Sequence, residues 1–144
     1  MGEKLSAAAE AVLTERFGHD TLISLATTDA VRPYVRIVNG YYENGSFYVI
    51  THALSGKMRQ LSRNSSVAVC AEWFSSHGVG ENIGHICDEK NTAIAEKLKK
   101  VFSAWYNNGD VRENDPNTCI LRITLTDAIL FSHGTKYDID FTLD

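Results

Sequence analysis

The chain has 144 residues, 44% of them hydrophobic, enough for one domain with a real core and short for two. Its formal charge of −4, with 14 basic residues scattered along the chain, argues against a general nucleic-acid binder, because phosphate-backbone affinity comes from grouped Lys and Arg. Cys70, Cys87 and Cys119 are odd in number and show no C-x-x-C spacing, so reduced cytosolic thiols are expected in place of a disulfide framework or a zinc knuckle. The N-terminal segment has no continuous apolar run and carries Glu3, Glu10 and Glu15, unlike a secretory signal, and no stretch reaches the roughly 18 apolar residues of a membrane span. The expectation is a single cytoplasmic domain over residues 1–144, with neither nucleic acid nor membrane as partner.

Leu5, Ala8, Ala9, Val12, Leu13 and Phe17 recur at helical spacing, and Gly18 follows as a C-terminal stop. A strand is predicted over Thr21 to Thr28, a turn at Asp29-Ala30, and a second strand from about Arg32, with Pro33 tolerated near its start. Asn44-Gly45, between Tyr41-Tyr42 and Phe47-Tyr48, signals a tight hairpin because both turn positions accept positive φ. A short helix follows near Leu54 to Arg63, then a buried strand from Val67 to Phe74 in which Glu72 is the anomaly. The glycine-spaced segment from His77 to His85 reads as a turn with surface histidines, leading to a strand over about Ile83 to Cys87. Asp88 can cap a helix carrying Ile94, Leu98, Val101, Phe102 and Trp105 on one face, with Gly109 as its stop. Strand character returns at Thr118 to Leu125 and at Ala128 to Ser132. Antiparallel strands on short turns, interrupted by helices, predict a mainly β fold: a small barrel with helical additions.

Ser55, Gly56 and Lys57 open the short helix. A helix start offers unpaired N–H groups and the positive end of the helix dipole, so a hydroxyl, a glycine and an ammonium there can hold a phosphate. Taken alone, the three residues fit an ordinary N-cap followed by a solvated lysine better. Arg36, mid-strand before the hairpin, raises the phosphate reading, since strand pairing can carry its guanidinium toward the same place. His77 and His85 with Glu81 between them match no metal spacing, and the intervening G-x-G-x-x-x-G departs from a dinucleotide fingerprint. Glu72 is either a pocket carboxylate or the outward residue of an edge strand. Trp105 and Tyr106 either stack on a flat ligand or pack in a core or dimer contact. No Ser/His/Asp order, cysteine nucleophile or carboxylate pair suggests hydrolysis.

The stretch LATTDAVRPYVRIVNGYYENGSFYVITHALSGKMRQLSRNSSVAVCAEW, residues 25–73, resembles the FMN-binding split-barrel family related to pyridoxamine 5′-phosphate oxidase. Its most specific part is R-I-V at Arg36 to Val38 followed by F-Y-V-I-T-H-A-L-S-G-K at Phe47 to Lys57. The resemblance implies a six-stranded antiparallel Greek-key split barrel and a homodimer with FMN in clefts between subunits. It implies flavin-mediated hydride or electron transfer, with no metal and an open substrate. By position, Arg36, Ser55, Gly56 and Lys57 would bind the FMN phosphate. Ile37, Val38, Asn39, Ile50 and Thr51 would meet the ring or ribityl chain, and Glu72, Trp73 or Trp105 would be offered across the dimer. The chain departs from pyridoxamine phosphate oxidases in ending HGTKYDIDFTLD, without their Arg-x-His and R-L-x-P signatures, so vitamin B6 synthesis is not implied. It also has Asp29-Ala30-Val31 where a glycine is usual in the first hairpin turn. Two rivals are a non-catalytic flavin-binding or stress-response protein and a haem-binding relative using His77, His85 or His133; coenzyme F420 is an alternative within the enzyme class.

Overall fold

Alternation along the strands decides which face is inside. In β2 (Thr21–Thr28), Ile23, Leu25 and Thr27 are buried while Leu22, Ser24 and Ala26 face out, the period-2 pattern of a half-buried strand. The computed structural model describes residues 2–144. Besides β2 its sheet contains β1 (Glu3–Lys4), β3 (Pro33–Glu43), β4 (Ser46–His52), β5 (Ser66–Ala71), β6 (Phe74–His85), β7 (Thr118–Ser132) and β8 (Thr135–Asp140). Strands β2-β3-β4-β7-β6-β5 pair antiparallel in that order, and β5 pairs back onto β2 to close a six-stranded barrel. Three consecutive strands with the fourth returning beside the first make β5-β2-β3-β4 a Greek key. β8 pairs with β7 outside the ring, and β1 adds to β8 in parallel.

Helix α1 (Ala7–Phe17) starts where the Ser6 hydroxyl accepts the Ala9 N–H at 3.1 Å, and buries Ala9, Leu13 and Phe17 at four-residue spacing. Phe17 meets the Phe47 and Phe74 rings at 5.7 and 5.0 Å, fixing the helix to the barrel core. Helix α2 (Gly56–Arg63) joins β4 to β5 and buries Met58 and Leu61 in the same core. Helix α3 (Thr92–Val101) lies on the outer face, where Ala95, Leu98 and Phe102 form a second cluster with Ile86 and Ile120, flanked by Tyr48 and Ile50. At the predicted hairpin, Asn44 and Gly45 have φ of +48° and +82°, as that turn requires.

Several expectations are corrected. The strand predicted from Val67 to Phe74 ends at Ala71; Glu72 and Trp73 form a hairpin tip, Trp73 at φ +59°, so Glu72 is not an outward strand residue. The segment from His77 to His85 is part of β6, not a turn, and of the strand predicted at Ile83 to Cys87 only Ile83 to His85 belongs to it, Ile86 and Cys87 lying in the turn beyond. The two predicted tail strands are one, β7, whose Thr126 is skipped in the register with β6. The helix after Asp88 ends at Val101, which leaves Trp105 in the irregular turn beyond it. The β7–β8 hairpin, turning at His133 and Gly134 (φ +48° and +80°), was not predicted.

Candidate functional site

Strands β3 and β4 pair only from Tyr41 to Glu43 against Ser46 to Tyr48. Continued, that register would set Asn39 against Ile50 and Val38 against Thr51. Instead, β3 from Pro33 to Gly40 is paired only to β2, and β4 runs on along β7 to His52. The barrel is therefore split between them. Ile37, Val38 and Asn39 border one side, Ile50 and Thr51 the other, and α2 begins just past the open end.

At that end Arg36 comes close to Lys57, near the start of α2. Arg36 lies in register with the fully buried Leu25, so it projects to the barrel side of β3. Its Nη1 donates to Thr27 Oγ1 at 2.7 Å and to the Leu25 carbonyl at 3.2 Å, and its Nη2 reaches Gln60 Oε1 at 3.5 Å. The Thr27 hydroxyl in turn donates to Gln60 Oε1. Lys57 occupies the first turn of α2, and burial, followed by repulsion from Arg36, pushes its pKa below the ordinary 10.5. Burial likewise lowers that of Arg36. Among the described residues neither cation forms an ion pair with a carboxylate.

Ser55 separates the two readings of this helix start. It stands at the N-cap position, yet its hydroxyl makes no capping bond, and Oγ is buried without a partner. An ordinary N-cap bonds its own helix; this one does not. A buried unsatisfied hydroxyl costs ~1–3 kcal/mol, and two neighbouring cations without a counter-charge add repulsion. One acceptor-rich dianion would relieve both. A side chain at Gly56 would meet nothing within 4 Å, so the approach to the helix start is open.

Beside the split, a cavity of about 360 Å³ is lined by Ile50, Thr51 and His52 on β4 and by Trp105, Arg112 and Asp115 from the segment after α3. Trp105 Nε1 donates to Asp20 Oδ2 at 2.9 Å, and Asn39 Nδ2 donates to Asp20 Oδ1 at 2.8 Å, so one carboxylate ties a cavity wall to the β3 side of the split. Trp105 also packs on Phe102 with ring centroids 4.9 Å apart. His52 is engaged at both nitrogens: Nδ1 accepts the Leu54 N–H at 3.2 Å, and Nε2 sits 3.3 Å from Asp115 Oδ2. Asp20, Thr27 and Gln60 were not singled out from the sequence. Thr27 carries a usable signal, a polar residue at an inward position of an alternating strand; Asp20 and Gln60 carry none.

Glu72 and Trp73 lie apart from the clamp. They border a separate cavity with Arg16 and Leu22, and the exposed Trp73 ring meets Phe131 edge-on at 6.3 Å. The histidines are dispersed too. His77 is 2.8 Å from Asp127, His85 Nε2 is 2.8 Å from the Asp115 carbonyl while its Nδ1 accepts the Cys87 N–H, and His133 sits in the β7–β8 turn. Among the described residues no group of three or more His, Cys, Asp and Glu side chains is placed to hold a metal ion.

No protein-family model matches the chain, and no curated protein matches it in sequence. Solved structures do. A general stress protein 26 from Bacillus anthracis superposes with a TM-score of 0.67 at 16% identity, covering 90% of this chain and 98% of its own. An FAD-binding protein from Mesorhizobium loti gives 0.65 at 16%, over 88% and 94%. A Listeria innocua protein assigned as a pyridoxamine 5′-phosphate oxidase gives 0.61 at 14%, over 84% and 94%. The chain has the fold of the pyridoxamine 5′-phosphate oxidase-like split barrels. At these identities the likeness concerns the fold, and the chemistry is argued from the residues of this chain. No helix among the described residues is long and apolar enough to cross a membrane.

Proposed function

We propose that this split barrel binds FMN and acts as an oxidoreductase in the form of a homodimer. The observation that carries the reading is the buried, unpartnered Ser55 hydroxyl at the start of α2, beside two cations without carboxylate partners. Arg36 and Lys57 would neutralise the phosphate, Ser55 would donate to it, and the α2 N-terminus would add its dipole. The split between β3 and β4 would receive the rest of the cofactor, with Ile37, Val38, Asn39, Ile50 and Thr51 along its borders. A bound flavin supplies hydride or single-electron chemistry, so no protein nucleophile is needed. The chain's own work is to bind and orient it: Asp20 holds Trp105 and Asn39 in fixed relation, and Asp115 holds His52. The FAD-binding neighbour supports the cofactor class.

The homodimer rests on the outer face of β2, β3 and β5. Leu22, Val35 and Ile37 there are 63%, 72% and 68% exposed, and Ala26, Ala68 and Cys70 lie in register beside them. Burying such a face against a second copy removes apolar area from water. It would bring a partner's surface toward the split, whose β3 border carries Ile37, and Glu72, Trp73 or Trp105 are candidates to reach across.

Titration of the purified protein with FMN and with riboflavin tests the reading, because the two differ by the phosphate alone. Tighter binding of FMN is expected, and equal or absent binding would refute it. The engagement of both His52 nitrogens leaves the cavity without a free imidazole base, which favours a second reading as a non-catalytic flavin carrier. Rapid NAD(P)H oxidation by the FMN-loaded protein would exclude that second reading.

A further inference from the structure

We propose that Thr27 and Gln60 are positioning residues of the phosphate clamp: they fix the Arg36 guanidinium so that its Nε–Nη2 edge is kept for an oxyanion. The inference rests on the phosphate reading above and concerns residues that reading does not use. Arginine only donates hydrogen bonds, so the Thr27 hydroxyl, 2.7 Å from Nη1, must accept from it and send its own proton elsewhere. Gln60 Oε1 receives that proton. The same oxygen lies 3.5 Å from Arg36 Nη2, which makes it the carbonyl end of the amide that faces two donors. The chain of bonds therefore runs one way, from guanidinium to hydroxyl to amide oxygen. It joins β3 to β2 and β2 to α2, the helix whose start carries Ser55 and Lys57.

With the Leu25 carbonyl at 3.2 Å as its second acceptor, Nη1 is fully engaged. What remains of the guanidinium is Nε–H together with the second N–H of Nη2, the pair that binds an oxyanion through two parallel N–H groups. Thr27 is 2% exposed, so this arrangement is set in the barrel interior and not by solvent. An unheld arginine would have to be ordered at the moment of binding, with the loss of affinity that entails. A neutral side chain at position 60 suits the task. A glutamate there would satisfy Arg36 with its own charge and compete with the ligand.

The test compares the riboflavin-to-FMN ratio of dissociation constants in the full-length wild type and in Thr27→Val, Thr27→Ser, Gln60→Met and Gln60→Glu. The inference expects the ratio to fall about tenfold in Thr27→Val and Gln60→Met, further in Gln60→Glu, and to recover in Thr27→Ser, with riboflavin affinity unchanged throughout. A merely structural role would weaken both flavins together, and that outcome, or an unchanged ratio in variants that still fold, overturns the proposal. Gln60→Met keeps the test open should Thr27→Val fail to fold, since Gln60 lies partly exposed on α2. A wild type that does not discriminate FMN from riboflavin would instead refute the phosphate reading itself.

Discussion

Replacing Lys57 by methionine should move ligand affinity and unliganded stability in opposite directions. In the unliganded protein Lys57 is half-buried beside Arg36 with no carboxylate, so its charge opposes folding. Removing it relieves like-charge repulsion and desolvation. For a partly exposed pair the gain is about 0.5–1 kcal/mol, or a rise in Tm of roughly 1–4 °C for a domain of this size. The phosphate, by contrast, loses a charge-assisted hydrogen bond worth ~1.5–3 kcal/mol, a weakening of FMN binding by roughly 10- to 150-fold. Riboflavin affinity should not change. The alkaline branch gives a second arm. Because the folded pKa of Lys57 lies below 10.5, the unfolded chain binds more protons between those two values, and stability rises with pH across that window as the penalty is relieved. Over the same window Lys57 loses its charge, so FMN affinity should fall; Lys57→Arg should stay flat there, since arginine remains protonated. Fluorescence titration and thermal melting of the same preparations measure both. A Lys57→Met protein that melts lower and binds FMN within twofold of wild type would refute the reasoning.

Further predictions follow from single contacts. Ala30 sits at φ +76° in the β2–β3 turn, a conformation that costs a non-glycine residue ~1 kcal/mol, so Ala30→Gly should raise stability by about that amount in urea titration. Tyr42 is fully buried, its hydroxyl donating to Glu10 at 3.2 Å and accepting the Gly45 N–H at 3.0 Å, so Tyr42→Phe should cost ~1–2 kcal/mol. Val35→Glu, on the outward face of β3, should convert a dimer to a monomer in sedimentation; a monomeric wild type would remove the basis for the interface.

The sequence read best where one local cause acts alone. Asn44-Gly45 names its turn, and the apolar positions of α1 name its buried face. The Asp29 turn forms without the usual glycine because the carboxylate accepts the N–H groups of Val31 and Arg32 at 2.9 and 2.7 Å, holding Ala30 in its strained conformation. The reading failed where glycine answers to a neighbour distant in sequence. Gly78 and Gly80 suggested a turn, yet both lie in β6: a Cβ on Gly78 would come within 2.7 Å of the Thr124 carbonyl, and one on Gly80 within 2.9 Å of Leu61. Those glycines let β7 and α2 approach. At the site, Ser55 and Lys57 by themselves read as an ordinary helix cap with a solvated lysine, and what singled them out was Arg36 on β3 together with the family resemblance. Gln60 and Asp20 gave no signal, since each acts through a partner that only the tertiary fold brings near, whereas Thr27 showed its polar side chain at an inward position of β2.

A crystal structure of the protein grown with FMN tests the central claim most directly. Phosphate density within hydrogen-bond distance of Ser55 Oγ, Lys57 Nζ and the Nε–Nη2 edge of Arg36, with the ring between β3 and β4, is the result predicted. FMN bound elsewhere, or a Ser55 hydroxyl still without a partner in the complex, would contradict it.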